Sequence, residues 1–219
     1  MKIFTLKEIV PLFFIMWAVI MGVAIFIAPC IGDQIPTHWN AQGQIDGYSS
    51  KPVAVFSLLG VLLIVYLLML LLPQLDPFKK NYAAFEKQYY VLRLLLTIFL
   101  VALYIFTLLA AAGYNLDIKR FIIQAMSLLF ATIGILMPKI KKNYFVGIRT
   151  PWTLQSDEVW AKTHKFGGKA FIIAGALCFF TAWMGDWAFG AFMTIILLAA
   201  LSPMVYSYLE YKKSGLFKN

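Results

Sequence analysis

Six uncharged apolar stretches decide the fold class of this chain before any motif is considered. They run over residues 9–29, 53–72, 94–113, 121–137, 170–184 and 188–209, and none holds Lys, Arg, Asp, Glu or His in its interior. Most approach the roughly 20 residues that a helix needs to cross about 30 Å of hydrocarbon. Inside lipid every backbone N–H and C=O must be satisfied within the segment, so the default spanning element is a helix. The fifth stretch is short, and Gly185-Asp186-Trp187 leaves almost no loop before the sixth, which predicts a tight helical hairpin. The composition agrees: 62% hydrophobic and 13% charged, against roughly 45–50% and about 25% for a soluble domain. A soluble enzyme, a disordered tail and a basic nucleic-acid-binding domain are excluded. The expected architecture is all-α, a polytopic integral membrane protein with six transmembrane helices and short interfacial helices. It forms one domain over residues 1–219.

The net charge of +9 is first a topology signal. If both termini lie inside, the inner segments carry Lys2 and Lys7, then Lys79, Lys80, Lys87 and Arg93. They also carry Lys139, Lys141, Lys142, Arg149, Lys162, Lys165 and Lys169, then Lys212, Lys213 and Lys218. Only Lys51, Lys119 and Arg120 fall outside. Sixteen of nineteen basic residues on one side orient the chain with cytoplasmic termini, as a multi-pass protein of the cell membrane. The basic side suits anionic lipid headgroups, and no direct nucleic-acid contact is expected. The first stretch is longer than the 7–15-residue apolar core of a signal peptide and lacks a small-residue cleavage site, so it reads as a span. Cys30 falls near the outer surface and Cys178 in mid-membrane, which argues against a bridge. Two His and two Cys give no zinc spacing, so no metal and no cofactor are expected.

Three segments outside the hydrocarbon can carry function. The outer segment 30–52 is polar and nearly neutral, with Gly32, Pro36, Gly43, Asp46-Gly47 and Pro52 as turn formers. It is expected to be an ordered extracellular loop in which His38 braces a turn and Trp39 sits at the interface, or one in which His38, Trp39, Asn40 and Asp46 recognise a ligand. In the inner segment 73–93, Phe78, Tyr82, Phe85 and Tyr89 recur at helical spacing and so share one face. This predicts an interfacial helix with its rings at headgroup depth and Lys79, Lys80 and Lys87 toward lipid, although a partner-binding helix would look the same.

The inner segment 139–169 is the most distinctive. Its core is Asn143-Tyr-Phe-Val-Gly-Ile-Arg-Thr-Pro-Trp-Thr-Leu154. Thr150 precedes Pro151 and is pushed toward extended geometry. Ser156 can N-cap a short helix whose first turn holds Asp157 and Glu158, with Gly167-Gly168 as the stop. Val159, Trp160, Thr163 and His164 share one face, and Glu158 and Lys162 form an i,i+4 pair on another. Asp157 and His164, seven apart, point roughly the same way and offer the best acid–base spacing in the chain. The bland alternative is a membrane-facing connector whose Trp residues anchor and whose Arg149 meets lipid phosphate.

At these two segments the sequence resembles the SdpI family of bacterial membrane immunity proteins. Ile35-Pro-Thr-His-Trp-Asn40 with Gly43 and Asp46-Gly47 resembles that family's outer motif. Asn143 to Leu154, followed by Glu158, Trp160, Thr163-His164 and Gly167-Gly168, resembles its inner motif. The resemblance implies protection of the cell from a secreted, cationic, membrane-active peptide toxin. It also implies signalling to a cytoplasmic repressor. Residues expected to bind such partners are His38, Trp39, Asn40 and Asp46 outside, and Asn143, Tyr144, Arg149, Thr150, Trp152 and Trp160 inside. A second reading is a membrane-embedded peptide hydrolase, with His164 as base, Asp157 or Glu158 as its carboxylate and Arg149 stabilising negative charge. Peptide transport is disfavoured because no ionisable group lies inside a span and no phosphate-cradling Gly loop is present.

Overall fold

The computed structural model describes residues 28–215 together with positions 14, 18, 19 and 22, which are helical. The first apolar stretch, 9–29, otherwise lies outside the described residues, as do the N-terminal lysines and Lys218. From residue 28 onward a two-stranded antiparallel sheet, β1 (Gln34–Trp39) and β2 (Ile45–Ser50), precedes six helices. These are α1 (Lys51–Leu75), α2 (Glu86–Ala111), α3 (Ile118–Leu136), α4 (Pro151–Gln155), α5 (Asp157–Thr181) and α6 (Ala188–Lys213). Among the described residues four helices are long and apolar enough to cross a membrane: Lys51–Leu75, Glu86–Ala111, Ile118–Lys139 and Gly185–Lys213. Their faces are lined by exposed Leu, Ile, Val and Phe. The apolar stretch 170–184 is the second half of α5, whose first half is polar, so this helix as a whole is not of that kind.

The chain divides into two compact units, one made of the residues up to Leu70 with Leu94–Phe121, the other of Leu71–Arg93 with the residues from Ile122 onward. In the first unit the ordered segment 30–52 contains a two-stranded hairpin, a small β addition to a mostly helical chain. Ile31, Ile35, Ala54, Tyr104 and Leu108 form its buried cluster. Ile35 is the pin: it and Pro36 are buried while Gln34 and Thr37 on either side face out. The turn is built by Asn40, whose Oδ1 accepts the N–H groups of Gln42 and Gln44, both at 3.0 Å. Gly43 takes the left-handed φ of 82° that the turn requires.

In the second unit α3 and α5 approach backbone to backbone. A Cβ on Gly168 would lie 2.7 Å from the Gly134 carbonyl oxygen, and one on Gly175 would lie 2.6 Å from that of Ser127. Gly167 is equally crowded, against Ile148 and Met137. Gly167-Gly168 therefore does not stop a helix. The helix that Ser156 caps, accepting from the Val159 N–H at 3.3 Å, runs on to Thr181. The glycines are there because only a hydrogen fits between the packed helices. Through the turn Gly185–Trp187, α5 folds back onto α6 as the expected hairpin.

Candidate functional site

The inner motif folds around two buried side chains, both in the second unit. Asn143 is fully buried. Its Oδ1 accepts the N–H groups of Phe145 (2.9 Å) and Val146 (2.6 Å), and its Nδ2 donates to the carbonyls of Lys141 and Val146, both at 2.9 Å. Asp76, beyond the end of α1, is 2% exposed. Its Oδ1 accepts from the Phe78 N–H at 2.7 Å, while its Oδ2 accepts from the Tyr144 N–H at 2.9 Å and the Tyr82 hydroxyl at 3.0 Å. Three donors satisfy a carboxylate that would otherwise be costly to bury. Burial, then the hydrogen bond to Asp76, pushes the Tyr82 phenol up from its ordinary range. Asn81 adds a bond from its side-chain N–H to the Lys142 carbonyl at 2.8 Å.

These bonds overturn the interfacial-helix reading of 73–93. Residues Lys79–Ala84 form a 3-10 segment, and α2 begins only at Glu86. Tyr82, Phe85 and Tyr89 are buried at 1%, 1% and 3% exposure and pack on one another, with centroids 4.8 to 6.4 Å apart. Phe78 stacks on Tyr144 at 5.3 Å. The aromatic stripe is core, not a lipid anchor. The rings do not share one α-helix, and Tyr82 is held inward by buried polar partners.

His164 closes the motif from α5. It is fully buried, stacked on Trp160 at a centroid distance of 4.0 Å. Its Nε2 accepts the Ile148 N–H at 3.0 Å, so the ring proton sits on Nδ1 and is donated to the Trp160 carbonyl at 2.8 Å. Burial lowers the imidazole pKa to about 4, which keeps the ring neutral. Gly147, at φ 116°, lies directly over it: a Cβ there would meet Nε2 at 2.3 Å. Trp160 in turn donates from Nε1 to the Ile140 carbonyl at 2.8 Å. Thr150, extended as Pro151 requires, caps α4 through Thr153. Its Oγ1 lies 3.0 Å from Ser207 Oγ, and Trp152 packs edge-on against Tyr208 at 5.1 Å.

The proposed acid–base pairs are not assembled. Asp157, 82% exposed at its side chain, pairs with Lys142 at 2.7 Å, and Glu158 pairs with Lys162 at 2.8 Å. Seven residues along a helix is a rise of about 10.5 Å, so a shared face does not bring Asp157 to His164. Arg149 is exposed and donates to the Tyr144 carbonyl. The structure thus holds Asn143 and Tyr144 in one set of hydrogen bonds and Thr150, Trp160 and His164 in another, packs Trp152 on Tyr208, and leaves Arg149, Asp157 and Glu158 exposed. Asp76 and Ser207 were not anticipated. Asp76-Pro77 at the end of an apolar stretch is a turn signal that could have flagged the former; nothing in sequence pairs the end of α6 with this loop.

In the first unit the outer candidates share one hairpin. His38 Nδ1 lies 2.5 Å from Asp46 Oδ1 across the strands, with side-chain exposures of 71% and 43%. Trp39 and Asn40 are half-buried beside them. Gly47 is opposite His38, where a Cβ would come within 2.9 Å of the His38 Cβ. His38 therefore does brace the turn, and its partner is Asp46.

Helices of membrane-crossing length, carrying a buried polar assembly between α3 and α5 and an exposed hairpin before α1, define a helical membrane protein. Residues 139–207 match the model of the SdpI/YfhL protein family. Residues 14–63 match a domain of unknown function, DUF1648. The chain is 29% identical over 197 residues to Immunity protein SdpI of Bacillus subtilis (strain 168), which covers 87% of this chain and 89% of that protein. No solved structure matches it.

Proposed function

We propose that this chain is a multi-pass protein of the cell membrane, with both termini cytoplasmic, that protects its cell from a secreted membrane-active peptide. The observation that carries this reading is the similarity to an immunity protein over most of both chains. The exposed His38–Asp46 pair on a short, pinned hairpin supports the outer motif as the peptide's contact. Such a surface offers hydrogen-bonding groups held at low conformational cost. Signalling to a cytoplasmic repressor rests on the resemblance and would use the exposed groups of the inner motif, Tyr144 and Arg149. The peptide-hydrolase alternative draws no support from the placement of His164, since both ring nitrogens are already engaged by backbone.

The test is expression of the full chain in a sensitive bacterium challenged with a panel of purified cationic membrane-active peptides. Protection, read as at least a fourfold rise in the inhibitory concentration of one of them, is expected. It should be lost in the double variant His38→Ala, Trp39→Ala at equal membrane abundance. No protection against any of the panel would refute the immunity reading. Protection undiminished in the double variant would refute only the outer contact.

A further inference from the structure

We propose that the groove between the first half of α5 and the last turns of α6 binds the headgroup of an anionic phospholipid, its phosphate held by Lys165 and Lys169. The groove has a volume of about 330 Å³ and is lined by Lys162, Lys165, Phe166, Lys169, Tyr206 and Glu210. Its three lysines, at i, i+3 and i+7, share one helix face. They are not equivalent. Lys162 is committed to Glu158 at 2.8 Å and Glu210 at 3.2 Å, and Glu210 is also paired with Lys213 at 3.2 Å. The one carboxylate on the groove is therefore already neutralised by two ammonium groups. Among the described residues Lys165 and Lys169 have no anionic partner. Like charges at i,i+4 weaken a helix unless an anion lies between them.

The walls select a lipid over a free anion. Phe166 and Tyr206 stack face to face across the two helices, with centroids 4.4 Å apart and planes 9° from parallel. They give the groove an apolar flank beside its charge. Lys169 is the last charged residue before the apolar half of α5. Just beyond it Ile173 is 59% exposed, and on α6 Val205 is 59% exposed. Charged headgroup contacts thus pass directly into side chains suited to acyl chains. That is the sequence of environments found across a bilayer's interface. The site is independent of the immunity reading and of the rings in 73–93, which are core.

The experiment uses the full chain in detergent micelles and native mass spectrometry with phosphatidylglycerol, phosphatidylcholine or inorganic phosphate added. Two lysines at an anionic surface, each strengthening binding roughly fivefold, set an expected preference for phosphatidylglycerol of roughly twenty-five-fold. Lys165→Gln with Lys169→Gln should reduce phosphatidylglycerol binding to the phosphatidylcholine level. Lys79→Gln with Lys80→Gln, which removes the same charge elsewhere, should not. If the first double variant is not recovered, each single variant must lower the preference about fivefold. Equal binding of the two lipids by the unaltered chain, or a preference that survives loss of Lys165 and Lys169, overturns the proposal. Displacement of phosphatidylglycerol by millimolar inorganic phosphate also overturns it, by assigning the groove to a soluble anion.

Discussion

Replacing Gly147 by Ala tests the central claim about the inner motif, that its backbone is folded onto the His164 ring. Two costs follow from the geometry. At φ 116° a residue with a Cβ is strained by about 1–3 kcal/mol. The new methyl would also sit 2.3 Å from Nε2, far inside contact distance, so the ring must shift. That breaks the bond from the Ile148 N–H and leaves a buried donor and acceptor unpaired, a further loss of about 1–3 kcal/mol. Together they predict destabilisation of about 2–6 kcal/mol, or a Tm lower by roughly 10 °C for a chain of this size. The assay is thermal unfolding of the detergent-solubilised chain, followed by circular dichroism and by the fluorescence of the six Trp residues, of which Trp160 stacks on the ring. Gly190→Ala is the control, since nothing lies within 4 Å of its added Cβ and it sits in α6; it should be neutral or slightly stabilising. In a His164→Ala background the clash is gone and Gly147→Ala should retain only the backbone part of its effect. A Gly147→Ala chain that melts within 2 °C of the parent on the measured scale, roughly 1 kcal/mol or less, would refute the reasoning.

His164 also predicts a pH dependence. The folded chain holds the ring neutral down to about pH 4, while the unfolded imidazole gains a proton near 6.5, so the unfolded state binds more protons between those values. Stability should be full above pH 6.5 and fall by roughly 3 kcal/mol as the pH drops to 4; His164→Gln should flatten that slope in the same melting assay. Asp76→Asn should lower stability by about 2 kcal/mol, because an amide cannot accept at both oxygens from Phe78, Tyr82 and Tyr144. Limited proteolysis near residues 141–147 should then quicken; a cleavage pattern identical to the parent's would show that Asp76 does not hold that segment.

Features that depend only on neighbours in sequence were legible from the chain itself. Among the described residues four of the apolar runs are helices with greasy exposed faces, because run length against hydrocarbon thickness is a property of the segment alone. Extended Thr150 before Pro151, the Ser156 cap and the Glu158–Lys162 pair are local too, and each stands where the sequence placed it. The shared face of Val159, Trp160, Thr163 and His164 follows from helical period, and all four are buried.

What only the tertiary structure decided is the use of each side chain. Helical spacing put four aromatics on one face without saying whether that face meets lipid or protein. Asp76 and Asn143, 67 residues apart in sequence, settled it by binding Tyr82 between them. Gly167-Gly168 carries the same local signal for a helix stop as for close packing, and only the approach of Gly134 and Met137 distinguishes them. His164 looked like a base because its partners in the chain are acids, yet its real partners are the backbone of Ile148 and Trp160. Periodicity states which residues travel together; the energy of burying a polar group depends on what waits across the gap, and that is set by chain segments too distant for the pattern to reach.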